Sequence, residues 1–162
     1  MLNANLGSQA SLRRIYVPAN AAMLKTLADT GELKPVSAVH TVTAWLDREA
    51  PGADVEDLEY TAFADAATAS VALLPGGVPR RVVISADVPD ERVTERAEGT
   101  AVDFDGSVKL KKVAAVHVDD AAAAEEIARE LESDEPDPEL IEANVLDWYA
   151  ASELQYVLRS LG

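Results

Sequence analysis

The sequence predicts an α+β (or α/β) domain, with helices packed on a mixed β-sheet of about five strands. Two observations carry this prediction. Short runs rich in β-branched residues alternate with longer segments whose apolar residues recur at helical spacing, and Gly, Pro, Asn and Asp separate the two kinds of segment. The predicted order is β-α-β-α-β-β-β-α-α. The first three strands are expected to pair in parallel through right-handed crossovers, and a ferredoxin-like arrangement is the alternative.

The first half of the chain predicts two β-α units. Residues 14–17 are short, β-branched and aromatic, and Asn20 follows as the expected N-cap of a helix that ends at Gly31. Residues 36–42 predict the second strand. Residues 54–73 predict the longest helix, because acidic residues occupy its first turn and apolar residues recur every three or four positions.

The second half predicts a central strand, a hairpin and further helices. Residues 81–86 form a near-continuous apolar run, which is typical of a strand buried on both faces. Residues 100–104 and 108–118 flank Asp105-Gly106, a pair that favours a hairpin turn. Helices are then predicted after Asp119 or Asp120, from Asp137 through Leu146, and over residues 153–161.

Length and composition predict one domain over residues 13–162, preceded by a disordered extension over residues 1–12. The chain has no cysteine, which excludes disulfides and thiolate chemistry and fits a cytoplasmic location. The longest uncharged stretch, residues 66–79, is shorter than the ~18 apolar residues of a membrane-spanning helix. A membrane partner is therefore not expected.

Acidic residues dominate the charge and are concentrated near the end of the chain. The sequence holds 29 acidic and 14 basic residues, for a net charge of −15, and residues 119–162 alone hold thirteen acidic and two basic residues. Such a charge repels phosphate backbones, so nucleic acid is not an expected partner. The C-terminal aromatics Trp148, Tyr149 and Tyr156 are candidate anchors for a protein partner or for self-association. Alternatively, the acids serve solubility and the aromatics belong to the core.

A second candidate site depends on parallel strand pairing. In that case the ends of the first, third and last strands would bring Asp87, His117, Asp119 and Asp120 to one edge of the sheet. His117 with these aspartates could perform acid-base chemistry, and His117, Asp119 and Asp120 could hold a divalent metal. The alternative is that the aspartates cap a helix or stabilise a turn, which are common uses of Asp.

Two further patterns have ordinary structural explanations. Residues 102–108 are similar to the first motif of haloacid dehalogenase-type phosphatases. Only 13 residues separate Asp105 from Asp119, however, which is too few for the crossover that this chemistry needs. His40 lies at an alternate position of a predicted strand, where packing explains it without a catalytic role.

Four blocks of sequence, taken in order, resemble a family of small actinobacterial proteins whose function is not known, a domain-of-unknown-function family. The blocks are residues 14–19, 79–89, 113–120, and 148–150 with 153–154. This resemblance implies an intracellular single domain and carries over no activity, cofactor or site. The sequence therefore favours a cytoplasmic, non-catalytic domain that needs no cofactor and acts through protein contacts of its acidic C-terminal helices. A metal-assisted hydrolase or a small-molecule binder at the strand edge is the alternative.

Overall fold

A computed structural model describes residues 11–74 and 80–161, and these residues form nine strands and six α-helices. The strands are β1 (Leu12–Ala19), β2 (Glu32–Leu33), β3 (Val39–His40), β4 (Val82–Pro89), β5 (Val93–Glu95), β6 (Ala101–Phe104), β7 (Val108–Lys109), β8 (Val113–Val118) and β9 (Asp147–Ala150). The helices are α1 (Ala21–Thr30), α2 (Ala44–Glu49), α3 (Val55–Ser70), α4 (Ala121–Glu132), α5 (Pro138–Glu142) and α6 (Leu154–Leu161).

Seven strands form one sheet in the order β5-β6-β3-β1-β4-β8-β9, and β2 pairs with β7 in a separate ribbon. The α+β class is confirmed. The expected parallel pairing is wrong, because every neighbouring pair in the described sheet is antiparallel. The apolar run of β4 indicates burial on both faces, and helices on the two faces of an antiparallel sheet provide that burial equally well.

Strands β3 and β4 still run in the same direction, because each pairs antiparallel with β1, which lies between them. Helices α2 and α3 connect them, so this part of the chain is one split β-α-β unit. The ferredoxin-like alternative contains two such interleaved units. Here β8 and β9, joined through α4 and α5, are direct antiparallel neighbours instead, so that alternative is not the observed arrangement.

The predicted hairpin around Asp105-Gly106 does not form. The strand before the turn, β6, pairs with β3 and β5, whereas β7 pairs with β2, and β8 pairs with β4 and β9. The side chain of Lys109 binds Glu32 across the β2–β7 ribbon. A short turn motif specifies a reversal of the chain, but the strands on either side pair wherever their apolar faces are best buried.

Helices cover both faces of the sheet. On one face Ile15 and Val17 of β1 pack with the apolar residues of α1 and α6. On the other face Tyr16 and Val83 pack against α3, whose buried residues there are Ala62, Ala66 and Ala67, with the partly buried ring of Phe63 beside them. Alanines let a helix approach a sheet closely, and the floor of the candidate site lies directly under α3.

Several local predictions are confirmed by hydrogen bonds at helix ends. The side chain of Asn20 accepts a 2.9 Å bond from the amide of Met23, and Gly31 ends α1 with a φ of 82°, a conformation that favours glycine. The second strand is shorter than predicted and comprises only Val39–His40. The predicted extension lies outside the described residues up to residue 10, and Leu12 belongs to β1.

None of the helices within the described ranges combines the length and the apolar character that crossing a membrane requires.

Candidate functional site

A band of polar and aromatic side chains crosses the sheet on the face covered by α3. His40 of β3 lies opposite Tyr16 of β1, and Tyr16 lies opposite Ser85 of β4. His117 of β8 lies opposite Trp148 of the edge strand β9. Directly opposed residues of antiparallel strands point to the same face of a sheet. Five strands thus contribute one side chain each to this band.

Four members of the band, Tyr16, Ser85, His117 and Trp148, form the floor of an open groove of about 390 Å³ between α3 and the sheet, and His40 lies outside its lining. Glu56, Glu59, Tyr60 and Phe63 of α3 form one wall. The other lining residues are Arg14, Tyr16, Ser85, Ala115, His117, Leu146 and Trp148. The groove therefore combines aromatic surface with both carboxylate and guanidinium groups.

His117 and Ser85 are hydrogen bonded at the base of this groove, with 2.8 Å between Nε2 and Oγ. The ring of Phe63 packs against the His117 imidazole, with 4.6 Å between ring centroids. Burial, aided by the positive charge of Arg14, lowers the pKa of His117 from 6.5 to about 4. The imidazole is therefore neutral near pH 7, and in the tautomer that leaves Nε2 unprotonated it accepts a hydrogen bond from the serine hydroxyl.

Burial shifts the pKa values of two neighbouring groups on this face in the direction that favours their neutral forms. The Tyr16 hydroxyl donates a long bond, 3.4 Å, to Glu59, and burial, followed by the Glu59 charge, raises the pKa of Tyr16 to about 12. His40 lies 2.9 Å from the hydroxyl of Thr100, and burial lowers the pKa of His40. Because the Thr100 hydroxyl donates its proton to Asp65, Nδ1 of His40 must be the donor in its own bond.

A second groove of about 340 Å³ adjoins the first and shares Tyr60, Phe63 and Leu146 with it. Arg81, which also lines it, is only 2% exposed. Its guanidinium binds both carboxylate oxygens of Asp119 at 2.8 Å and the carbonyl of Asn144 at 2.8 Å. This buried clamp joins the start of β4 and the end of β8 to the loop that leads into β9.

The four residues predicted for an acid-base or metal site do not gather at one edge. Asp119 binds Arg81, and Asp120 caps α4 by accepting a 2.7 Å bond from Ala123. Asp87 pairs with Arg14 at 2.8 Å toward the other end of β4. Because β4 and β8 are antiparallel, the end of β4 that carries Asp87 lies away from the end of β8 that carries Asp119. Asp87 lies six residues from Arg81 along the chain, which corresponds to ~20 Å in a strand. Within residues 11–74 and 80–161, no three His, Asp or Glu side chains are arranged to hold a metal ion.

The three predicted aromatic anchors lie on both sides of the β9 edge. Trp148 is 62% exposed and borders the first groove. Tyr149 points to the opposite face of β9, packs at the margin of the core and lies 6.1 Å from the ring of Tyr156 on α6. Tyr156 is 56% exposed.

Reasoning from the sequence identified His117 and Trp148 but missed the other residues that define the grooves. Tyr60 and Phe63 belong to a helix whose stripe of alanines dominated its pattern, and Ser85 lies within an apolar run. The available signal for the clamp was a charged residue at one end of each of two buried strands: Arg81 precedes β4, and Asp119 follows β8. Ionised groups in such positions need a partner.

The model of a family of unknown function, DUF6912, matches residues 13–158. The chain belongs to this family. The matched range includes both grooves, the Arg81–Asp119 clamp and the β9 edge. The resemblance to a family of unknown function is thereby confirmed, whereas an actinobacterial origin stays a prediction. Comparisons with curated proteins and with solved structures returned no match.

Proposed function

We propose that this domain is a non-catalytic binding domain that captures a basic segment of a partner protein beside β9. The observation that carries the proposal is a surface on which exposed Tyr60, Val145 and Trp148 accompany Glu56 and Glu142 along the two adjoining grooves. We call these five residues the Trp148 surface. Exposed aromatics beside charged groups are typical of residues that contribute most to binding at protein interfaces.

The charge of the grooves favours a basic partner. Two arginines line them, and each already binds an aspartate: Arg14 binds Asp87, and Arg81 binds Asp119. The carboxylates that line the same grooves are Glu56, Glu59, Asp65 and Glu142. The acids of α4 and α5 add to this field and would steer a basic partner toward the surface. The proposal thus keeps the predicted class of function and moves its centre from the acidic helices to the Trp148 surface.

A peptide selection tests the proposal directly. Random peptides displayed on phage are selected against the immobilised full chain, and the Kd of each selected peptide is measured by fluorescence polarisation at low and high salt. We expect sequences that combine Lys or Arg with a large apolar residue. Their affinity should fall roughly tenfold in high salt, because exposed charges are screened. Failure to select any peptide, or selection of sequences without basic residues, would contradict the proposal.

Two double charge reversals provide a matched comparison. Glu56→Lys with Glu142→Lys alters the Trp148 surface. Asp47→Lys with Glu49→Lys makes the same change in net charge on α2, beside β3 and four strand positions, ~19 Å, from β9. The first variant should weaken peptide binding roughly tenfold and the second no more than about twofold. Equal losses would show that the peptide senses only the total charge.

The hydrogen bond between Ser85 and His117 favours a second candidate function, the binding of a small polar molecule in the first groove. The described residues provide no set of three metal ligands, so this version does not involve a metal. Thermal unfolding of the wild type and of Ser85→Ala, measured with a library of small polar compounds, tests it. Compounds that raise the wild-type midpoint and not that of the variant would support it, since a ligand of the native state stabilises that state. A midpoint that no compound changes would count against it.

A further inference from the structure

The strand β9 lies at the edge of the seven-stranded sheet, and its outer backbone groups identify where a partner could pair. The amide of Ala150 donates a 3.0 Å bond to the Glu153 carboxylate, although Ala150 lies opposite Ala115 of β8. The amide of Ala150 therefore points away from β8. Because backbone groups alternate direction along an antiparallel strand, the N–H and C=O of Trp148 point outward as well.

The side chains around β9 favour contact on both faces of this edge. Trp148 lies on the face covered by α3, and Tyr149 and Tyr156 lie on the opposite face. Of these three aromatic residues, a ligand confined to the first groove would touch Trp148 alone. An extended strand beside β9 directs alternate side chains to the two faces of the sheet and would reach both sets of aromatics.

The charge along the edge identifies the kind of strand. Asp147 and Glu153 are exposed at the two ends of β9, and Glu142 is exposed on α5 shortly before it. Natural sheet edges are commonly protected by lysines or prolines, and β9 carries neither. A second copy of this chain, with its net charge of −15, would bring like charges together. A basic segment would pair the charges instead.

We propose that the domain binds its partner by β-strand addition, in which an extended basic segment of another protein pairs with the outer edge of β9. This inference rests on the proposed function and specifies how the partner binds. The backbone of Trp148 would exchange hydrogen bonds with the added strand. Alternate side chains of that strand would contact Trp148 on one face and Tyr156 on the other.

The test uses the peptide with the highest affinity from the selection described above. Each of its amide nitrogens is methylated in turn, and the Kd for the full-length chain is measured by fluorescence polarisation. We expect a two-residue period, in which methylation weakens binding at least about tenfold at alternate positions and little between them. Methylation effects without that period would overturn strand addition and leave the proposed function standing, whereas failure to select any peptide would contradict the proposed function itself.

Two protein variants make the same distinction from the other side of the interface. Trp148→Ala and Tyr156→Ala alter opposite faces of the β9 edge, and both residues are largely exposed, so both variants should fold. Each should weaken binding at least about fivefold. Weakening by Trp148→Ala alone would indicate a ligand confined to the groove and overturn strand addition. Concentration-dependent dimers in sedimentation that the peptide dissociates would identify a second copy as the occupant and overturn the basic partner.

Discussion

The two ends of the seven-stranded sheet use the same kind of ion pair in different surroundings. On the β5 side, Arg13 of the central strand β1 binds Glu95 of β5 and Asp90, which follows β4, and all three side chains are partly exposed. At the β9 end, Arg81 and Asp119 are withdrawn from water, and the guanidinium also holds the loop carbonyl of Asn144. Two further surface pairs, Arg92 with Asp105 and Arg96 with Asp103, join the residues that flank β5 to β6 and the residue after it. At the β9 end the clamp is hidden, and acidic and aromatic side chains remain at the surface.

This difference indicates that the ion pairs on the two sides of the sheet contribute differently to stability. An exposed ion pair contributes little free energy, because water and salt screen it. A buried one makes the fold sensitive to the loss of either partner, because the remaining charge is left in the interior. The buried clamp holds the loop before β9 and so positions Val145 and Trp148, whereas the charged residues in and beside β5, Arg92, Glu95 and Arg96, discourage pairing at that edge.

The largest effect is expected at the clamp. Asp119→Ala leaves the Arg81 guanidinium buried without its carboxylate and should lower the free energy of unfolding by ~3–5 kcal/mol. Urea denaturation followed by circular dichroism measures this loss. The double variant Arg81→Met with Asp119→Leu should recover most of it, because apolar residues of similar volume replace the pair. A single variant as stable as the wild type would show that the clamp is not a stabilising contact.

The next effect is a pH dependence at the β9 end. The pKa of His117 in the folded state, about 4, is below its ordinary value of 6.5, so between these values the unfolded chain binds a proton that the folded chain does not. The free energy of unfolding should therefore fall as the pH drops from about 6.5 to about 4, by roughly 3 kcal/mol from this residue.

His117→Gln isolates this contribution, because Arg14, Glu56, Glu59 and His40 remain in both proteins. The difference in unfolding free energy between the wild type and the variant, measured by urea denaturation across that pH range, should shrink as the pH falls. A constant difference would show that protonation of His117 is not coupled to folding.

The neighbouring aspartate provides a matched control for Asp119. Asp120→Ala removes the cap of α4, where the carboxylate accepts one bond from the Ala123 amide, and it should cost about 1 kcal/mol. Asp120→Asn should retain most of the stability, because an amide oxygen can accept the same bond. If Asp120→Ala in urea denaturation costs as much as Asp119→Ala, burial does not explain the difference between the two ends.

The smallest effect is expected at the β5 end. Arg13→Ala removes the bonds to Asp90 and Glu95, and it should cost about 1 kcal/mol or less, because these groups are partly exposed. High salt should reduce even this cost in the wild type. A loss comparable with that of Asp119→Ala would remove the contrast between the two ends.

Local patterns were sufficient to predict most of the elements. The strand at residues 14–17, the caps Asn20 and Asp137, and the helix that begins after Asp54 follow from interactions within a few residues, and they are present in the structure. Of the two caps expected for α4, Asp119 or Asp120, the structure has Asp120. Strand β5 lies in a polar segment with no apolar run to predict it, and its edge position explains this, because an edge strand needs no such run.

The candidate site was less predictable, because its members come from distant parts of the chain. Trp148 was identified from the sequence as a candidate aromatic anchor, but its opposition to His117 depends on the pairing of β8 with β9. Asp119 was expected at a helix start or in a metal site. Its partner Arg81 lies 38 residues away, and no local pattern joins them.

By itself the sequence determined the class of the fold, the ends of several helices and the excess of acid near the C-terminus, because propensity, capping and charge are local or additive properties. Only the tertiary structure decided the antiparallel strand order, the burial of the clamp and the placement of Tyr60 and Trp148 along one groove. The physical reason is that hydrogen bonds between strands and the partners of buried charges are selected by the burial of the whole sheet, which no single segment specifies.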